Sequence, residues 1–199
     1  MTLPRTDSRP SLPARLWKWL TRPLTYRRIM RSPDRLVLVG EMLPLFAAHN
    51  TTILWVGVRR YTRRYPALLE RGGAVCWTTD ISPKAARWGR PGRHLVCDLL
   101  EIDQAFEPGA FTAVLCNGVF GFGIDDPDAQ TRALEAMAAI LAPGGWLLLG
   151  WNTDRTTDIL ELAALDRWFE PAPLGPLPAR RRIAGTTHVY DLLRRRAGG

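Results

Sequence analysis

The chain has 199 residues, of which 46% are hydrophobic and 23% charged. That balance excludes a disordered, collagenous or disulfide-scaffold protein and is large enough for a core that needs no staples. The net charge of +8 comes from 27 basic and 19 acidic residues, unevenly placed. Residues 1–35 carry nine basic groups against Asp7 and Asp34, and the tail from Arg180 carries six arginines against Asp191. The body between them is mildly acidic, unlike the uniform basic face of a dedicated nucleic-acid module. Cys76, Cys97 and Cys116 are an odd three without close spacing, which argues against a zinc cluster and for a reducing, cytoplasmic compartment. No apolar run approaches the ~20 residues of a membrane span, and Pro4, Arg5 and Asp7 interrupt the place of a secretory signal.

Residues 1–50 read as a basic N-terminal helical arm or cap, and residues 51–199 as the main domain. The arm interleaves arginines with Leu12, Leu16, Trp17, Trp19, Leu20, Leu24, Tyr26, Ile29 and Met30. Spacings of three and four suit one helical face, and Pro23 interrupts it. A helix packed over the body is the preferred reading. Contact with RNA or an anionic membrane is the other.

From residue 52 onward short apolar runs alternate with helical stretches. Strands are predicted at Thr52–Gly57, Ala74–Asp80, His94–Leu99, Phe111–Asn117 and Trp146–Trp151. Helices are predicted over Tyr65–Arg71, from Ser82-Pro83 with Ser82 as cap, over Pro127–Leu141, and over Thr157–Phe169. A Pro-rich connector from Pro171 to Pro178 follows. Arg180–Ala184 and His188–Leu193 then predict an antiparallel pair at a sheet edge. The fold class is α/β: a Rossmann-like, doubly wound, mostly parallel seven-stranded sheet with an antiparallel last strand.

Such sheets bind ligands beyond the carboxyl ends of their strands. Asp80 stands there, 23 residues after Gly57, near the spacing at which a nucleoside-binding fold places a carboxylate on ribose hydroxyls. Asp98 follows one crossover later. Arg59, Arg60, Arg63 and Arg64 oppose the dipole of the helix they precede, which points to an anionic partner for one or two of them. Gly118, Gly121 and Gly123 with Phe120 and Phe122 suit either a lid or core plugs. For His188, a satisfied structural imidazole is preferred over a catalytic one.

Residues 52–193 resemble a class I S-adenosylmethionine-dependent methyltransferase, through TILWVG, VCWTTDIS, HLVCDLL, FTAVLCNGVF and ILAPGGWLLLGWN. The resemblance implies S-adenosylmethionine as cofactor, with Asp80 on the ribose, Ile81 against the adenine, Asp98 on the adenine amino group and Leu99 beside the ring. It implies that Asn117 and Gly118 border the methyl donor, and that Gly57 and Val58 open the loop under its methionine moiety. The family's acid and later glycines of that loop are absent: Trp55, Arg59 and Tyr61 stand in their places, which puts an arginine where it could pair with the methionine carboxylate.

The function so implied is methyl transfer to a small-molecule acceptor, without DNA and without a metal. Asp125 and His188 are the catalytic candidates if a base is needed. Two alternatives stand beside it: a non-catalytic, methyltransferase-like binding or scaffold protein, and an RNA methyltransferase using the basic arm. The sequence does not set the oligomeric state.

Overall fold

The computed structural model describes residues 29–197. The expectations for Leu12 through Tyr26 of the arm lie outside them.

Pro33 starts a helical stretch that continues to His49. It consists of α1 (Pro33–Val37), a wider π turn (Leu38–Met42) and α2 (Leu43–His49). After it come β1 (Thr52–Val56), α3 (Tyr65–Arg71), β2 (Val75–Asp80), β3 (His94–Val96), α4 (Ile102–Ala105) and β4 (Phe111–Asn117). The chain ends with α5 (Pro127–Ile140), β5 (Leu141–Asn152), α6 (Ala163–Trp168), β6 (Phe169–Pro171), β7 (Arg180–Arg182) and β8 (His188–Arg195).

The strands form one sheet in the order β3-β2-β1-β4-β5-β8-β6, with β7 also paired to β8. The first five strands of that order are parallel, and β8 is antiparallel to β5, β6 and β7. This is the Rossmann-like class expected, with eight strands in place of seven.

Successive strand residues point to opposite faces, and each face buries its own apolar set. Leu54, Val56, Val114, Cys116, Leu147 and Leu149 pack against Ala133, Leu134, Met137 and Ile140 of α5. Ile53, Trp55, Ala113, Leu115 and Leu148 pack against Leu38, Met42, Leu43 and Phe46 of the Pro33–His49 helix and against Tyr65 and Leu69 of α3. The helix before residue 50 is therefore part of the same core as the central strand.

Three local expectations are corrected. The helix expected over Thr157–Phe169 is broken. Asp158 caps a single 3₁₀ turn through the Leu160 N–H, α6 begins only at Ala163, and Phe169 already pairs with Arg195. Arg180 holds Asp158 through two contacts of 2.6 Å, which draws that turn toward β8 rather than into a continuous helix. Ser82 does not cap the 3₁₀ turn that follows it; its N–H donates to Asp80 Oδ1 at 2.9 Å. β3 stops at Val96, because Asp98 turns away to cap the Leu100 N–H at 3.1 Å. The Pro-rich connector is a packed loop, with Leu174 and Leu177 buried and paired to each other.

Candidate active site

The carboxyl ends of β1, β2 and β4 meet at a cavity of about 240 Å³. Gly57 turns out of β1 at φ +81°, where a side chain would be strained and would press on Val119. Its N–H donates to Thr79 O at 2.9 Å, and its carbonyl accepts from Trp55 Nε1 at 2.9 Å. Trp55, in the place of the family's acid, thus supports the loop from inside the core, where it meets Tyr65 edge to face. Thr62 closes the loop: its hydroxyl accepts from Arg59 N–H at 2.9 Å and donates to Arg59 O at 3.0 Å.

Asp80 is only 5% exposed. Its Oδ2 accepts from Val58 N–H at 2.7 Å and from Arg59 Nη1 at 2.5 Å, and its Oδ1 accepts from Ser82 N–H. A carboxylate offers about four acceptor positions, so these three donors leave room for one more on Oδ1. Arg59 is half-exposed and also donates to Val58 O at 2.8 Å. It therefore rests on the carboxylate rather than standing free for an anion. Asp98, Leu99 and Ile81 line the same cavity, with Leu99 buried and Ile81 exposed. Asn117 and Gly118 form its inner end.

Adenosine fits this arrangement. An apolar slot beside Ile81 and Leu99 lies next to two carboxylates, both with spare acceptor capacity. The methionine end is where the chain differs, since Arg59, Tyr61 and Thr62 occupy the wall that glycines would leave open.

A second cavity of about 370 Å³ adjoins the first, with Tyr61, Gly118 and Phe122 lining both. Its remaining described walls are polar: Asp34, Arg35, Asn152, Thr186, Thr187 and His188, together with Gly185. β8 runs antiparallel to β5, so its first residue, His188, faces Asn152 at the ligand-binding edge. His188 is 5% exposed. Burial pushes its imidazole down to about 4, with Arg35 adding to the effect and Asp34 opposing it. The ring is neutral at neutral pH. Tyr190, raised by burial, packs edge to face on it and donates to Asp34 O at 3.1 Å.

The candidate catalytic pair separates. His188 lies in the second cavity and has a hydrogen bond on one ring nitrogen only, so it is not the fully satisfied imidazole that was preferred. Asp125 is exposed, accepts from Gly123 N–H at 3.0 Å in its own turn, and lines neither cavity. The two phenylalanines also divide: Phe120 is a core plug and Phe122 is an exposed cavity wall. Asp34, Arg35, Asn152, Thr186 and Thr187 had not been singled out. Their signal was indirect, because Asn152 and His188 come together only through the β5–β8 register. Among the described residues no group of His, Cys, Asp and Glu could hold a metal, and no helix is long and apolar enough to cross a membrane.

Residues 57–149 match the family model described as a methyltransferase domain. The fold is the Rossmann-like methyltransferase fold. Several solved structures share this fold, among them complexes with S-adenosylhomocysteine. A TehB-like SAM-dependent methyltransferase from Corynebacterium glutamicum is 19% identical, with TM-score 0.65, covering 92% of this chain and 100% of that one. The N-methyltransferase NodS from Bradyrhizobium japonicum, in complex with S-adenosylhomocysteine, is 15% identical, with TM-score 0.61, covering 84% and 90%. The Burkholderia thailandensis 1,6-didemethyltoxoflavin-N1-methyltransferase, with that compound and S-adenosylhomocysteine bound, is 19% identical, with TM-score 0.59, covering 96% and 93%. No curated protein matches the chain in sequence.

Proposed function

We propose that this methyltransferase transfers the methyl group of S-adenosylmethionine to a small-molecule acceptor. The observation that carries the reading is the meeting of two cavities at Gly118, one with the adenosine-matching carboxylates and the other polar. The second cavity is of small-ligand size. Two similar folds, NodS and the didemethyltoxoflavin enzyme, are N-methyltransferases by name, and the latter holds a small heterocycle.

Asp80 Oδ1 would accept from a ribose hydroxyl, while Ile81 and Leu99 would cover the adenine and Asp98 would face its amino group. Val58 and Gly57 would carry the backbone under the methionine moiety. Arg59 would have to share or leave Asp80, and once displaced it is the cation of the lining suited to the methionine carboxylate. Bound there, the donor supplies an electrophilic methyl carbon. The protein then contributes positioning, by holding the acceptor in line from the second cavity. Residues 29–50, the described part of the arm, serve as the cap in this reading, since Asp34 and Arg35 line the acceptor cavity.

Calorimetric titration with S-adenosylhomocysteine tests it. The wild-type protein should bind at micromolar concentration, and Asp80→Ala should lose that binding while remaining folded. No binding to folded wild-type protein at millimolar ligand would overturn the reading.

A further inference from the structure

His188 offers one nitrogen to the structure and keeps the other free. Nδ1 lies 3.0 Å from Asn152 Oδ1. The Asn152 amide is oriented by its own Nδ2, which donates to Thr187 Oγ1 at 2.9 Å. An oxygen facing Nδ1 requires that Nδ1 carry the proton, and the lone pair of the neutral ring is then on Nε2.

Nε2 is buried and has no hydrogen-bond partner. It stands with the Asn117 side chain over Gly150. A Cβ there would lie 3.0 Å from Nε2 and 2.0 Å from Asn117 Oδ1. Asn117 lines the donor cavity, and the adjoining Gly118 lines both. The lone pair is therefore at the junction of the two cavities. The Asn117 amide makes no hydrogen bond to Nε2; its side-chain neighbour is the Tyr190 hydroxyl. Buried polar atoms left unmade lower stability. An unpartnered imidazole nitrogen beside the Asn117 amide, where two cavities meet, is a site in want of a ligand.

We propose that His188 Nε2 takes the proton from the N–H or O–H group of the acceptor during methyl transfer. The inference rests on the function proposed here and narrows its substrate. The acceptor is a neutral small molecule whose nucleophilic nitrogen or oxygen still carries hydrogen, as in an aromatic amine, an N–H heterocycle or a phenol. It is not a thiolate or a tertiary amine.

The balance is simple. The acceptor's lone pair forms the bond to the methyl carbon as the carbon–sulfur bond breaks and leaves its electron pair on sulfur. The N–H or O–H bond then breaks, its electrons stay on nitrogen or oxygen, and its proton moves to Nε2. The positive charge of the sulfonium donor is thereby carried to the imidazolium, which loses its proton to water. A weakly basic imidazole is enough for an aromatic acceptor, because an aryl nitrogen or phenolic oxygen that gains a methyl group while keeping its hydrogen is strongly acidic. The groups packed on the ring frame this exchange: Asp34 favours the imidazolium, Arg35 opposes it, and Tyr190 and Asn152 hold the plane of the ring.

The test uses the full chain labelled with ¹⁵N and saturated with S-adenosylhomocysteine. His188 is assigned by its absence in His188→Gln. Phenol serves as the O–H probe and aniline as the N–H probe, each at millimolar concentration. The expected result is an Nδ1–H tautomer whose Nε2 resonance shifts when a probe is added. S-adenosylhomocysteine affinity should be unchanged in His188→Gln, and any transfer to a probe seen in wild type should fall by roughly a hundredfold. An Nε2–H tautomer, or an Nε2 resonance that neither probe moves, overturns the proposal. Failure to bind S-adenosylhomocysteine appears before any probe is added and would remove the underlying function instead.

Discussion

Arg59 Nη1 and Asp80 Oδ2 lie 2.5 Å apart across the mouth of the donor cavity. The carboxylate is buried and the guanidinium is half-exposed. The backbone amides of Val58 and Ser82 keep Asp80 in place, so Arg59 is the partner that would move if a ligand took the carboxylate. Under the function proposed above, an arginine at this point in the loop competes with adenosine for Asp80.

Removing that competitor should separate two ligands. Arg59→Ala frees an acceptor on Asp80, so adenosine should bind more tightly. A half-exposed ion pair contributes up to about 1 kcal/mol, which corresponds to a gain of about fivefold. S-adenosylhomocysteine should gain less or lose affinity, because its carboxylate loses the same guanidinium. Titration calorimetry with both ligands on wild type and variant checks the pair of outcomes. Equal gains for the two ligands would show that Arg59 does not serve the carboxylate.

Gly150 tests the crowding at the junction. Its backbone φ is not in the left-handed region, so the penalty of a side chain there is one of space. A methyl group would collide with Asn117 and touch His188 Nε2. Gly150→Ala should lower stability by about 1–3 kcal/mol, read from urea unfolding. It should also displace Asn117, visible as a changed side-chain amide resonance.

Arg180 holds the far side of the sheet. It donates to Asp158 through both terminal nitrogens and to Asp191 through Nε at 2.6 Å and Nη2 at 3.0 Å. Trp151 Nε1 donates to the same Asp191 at 2.7 Å, and Asp191 is 1% exposed. Arg180→Ala leaves that carboxylate buried without its cation and should cost about 3 kcal/mol of folding stability. Arg180→Ala with Asp191→Asn should recover part of the loss. A single variant as stable as wild type would show that Trp151 and the backbone suffice.

His188 should leave a signature in the pH dependence of stability. Its imidazole falls from an ordinary 6.5 to about 4 through burial. Between those values the unfolded chain binds the proton and the folded one does not. Stability from this group is therefore complete above about pH 6.5 and is lost as pH falls toward 4. The lost stability should reach up to about 3 kcal/mol. Urea unfolding of wild type and His188→Gln at pH 7 and pH 5 isolates it. The acid-dependent difference between the two proteins should grow at pH 5, in the direction of wild type losing more.

Periodicity and turn residues were enough to read the parallel sheet, the place of Gly57 and the helix that Pro127 begins, because burial of one face writes itself into local spacing. The carboxylates Asp80 and Asp98 were also legible, since they follow strands at distances set by crossover length. What Asp80 does was not. Its acceptors are taken by Val58, Ser82 and Arg59, and a hydrogen-bond tally of that kind exists only when the loop has folded back over the strand. The split of Phe120 from Phe122 has the same origin, as both sit in one glycine-rich run and only packing tells plug from wall. His188 is the clearest case. Its alternation with Tyr190 marked a strand residue, but its role depends on β8 lying antiparallel to β5, which brings the first residue of one strand to the last residue of the other. Residues 36 and more positions apart meet there: His188 with Asn152, and His188 beside Asn117. Local sequence sets which face of an element is apolar. The tertiary register alone decides which polar atoms are satisfied within the chain and which are left for a ligand.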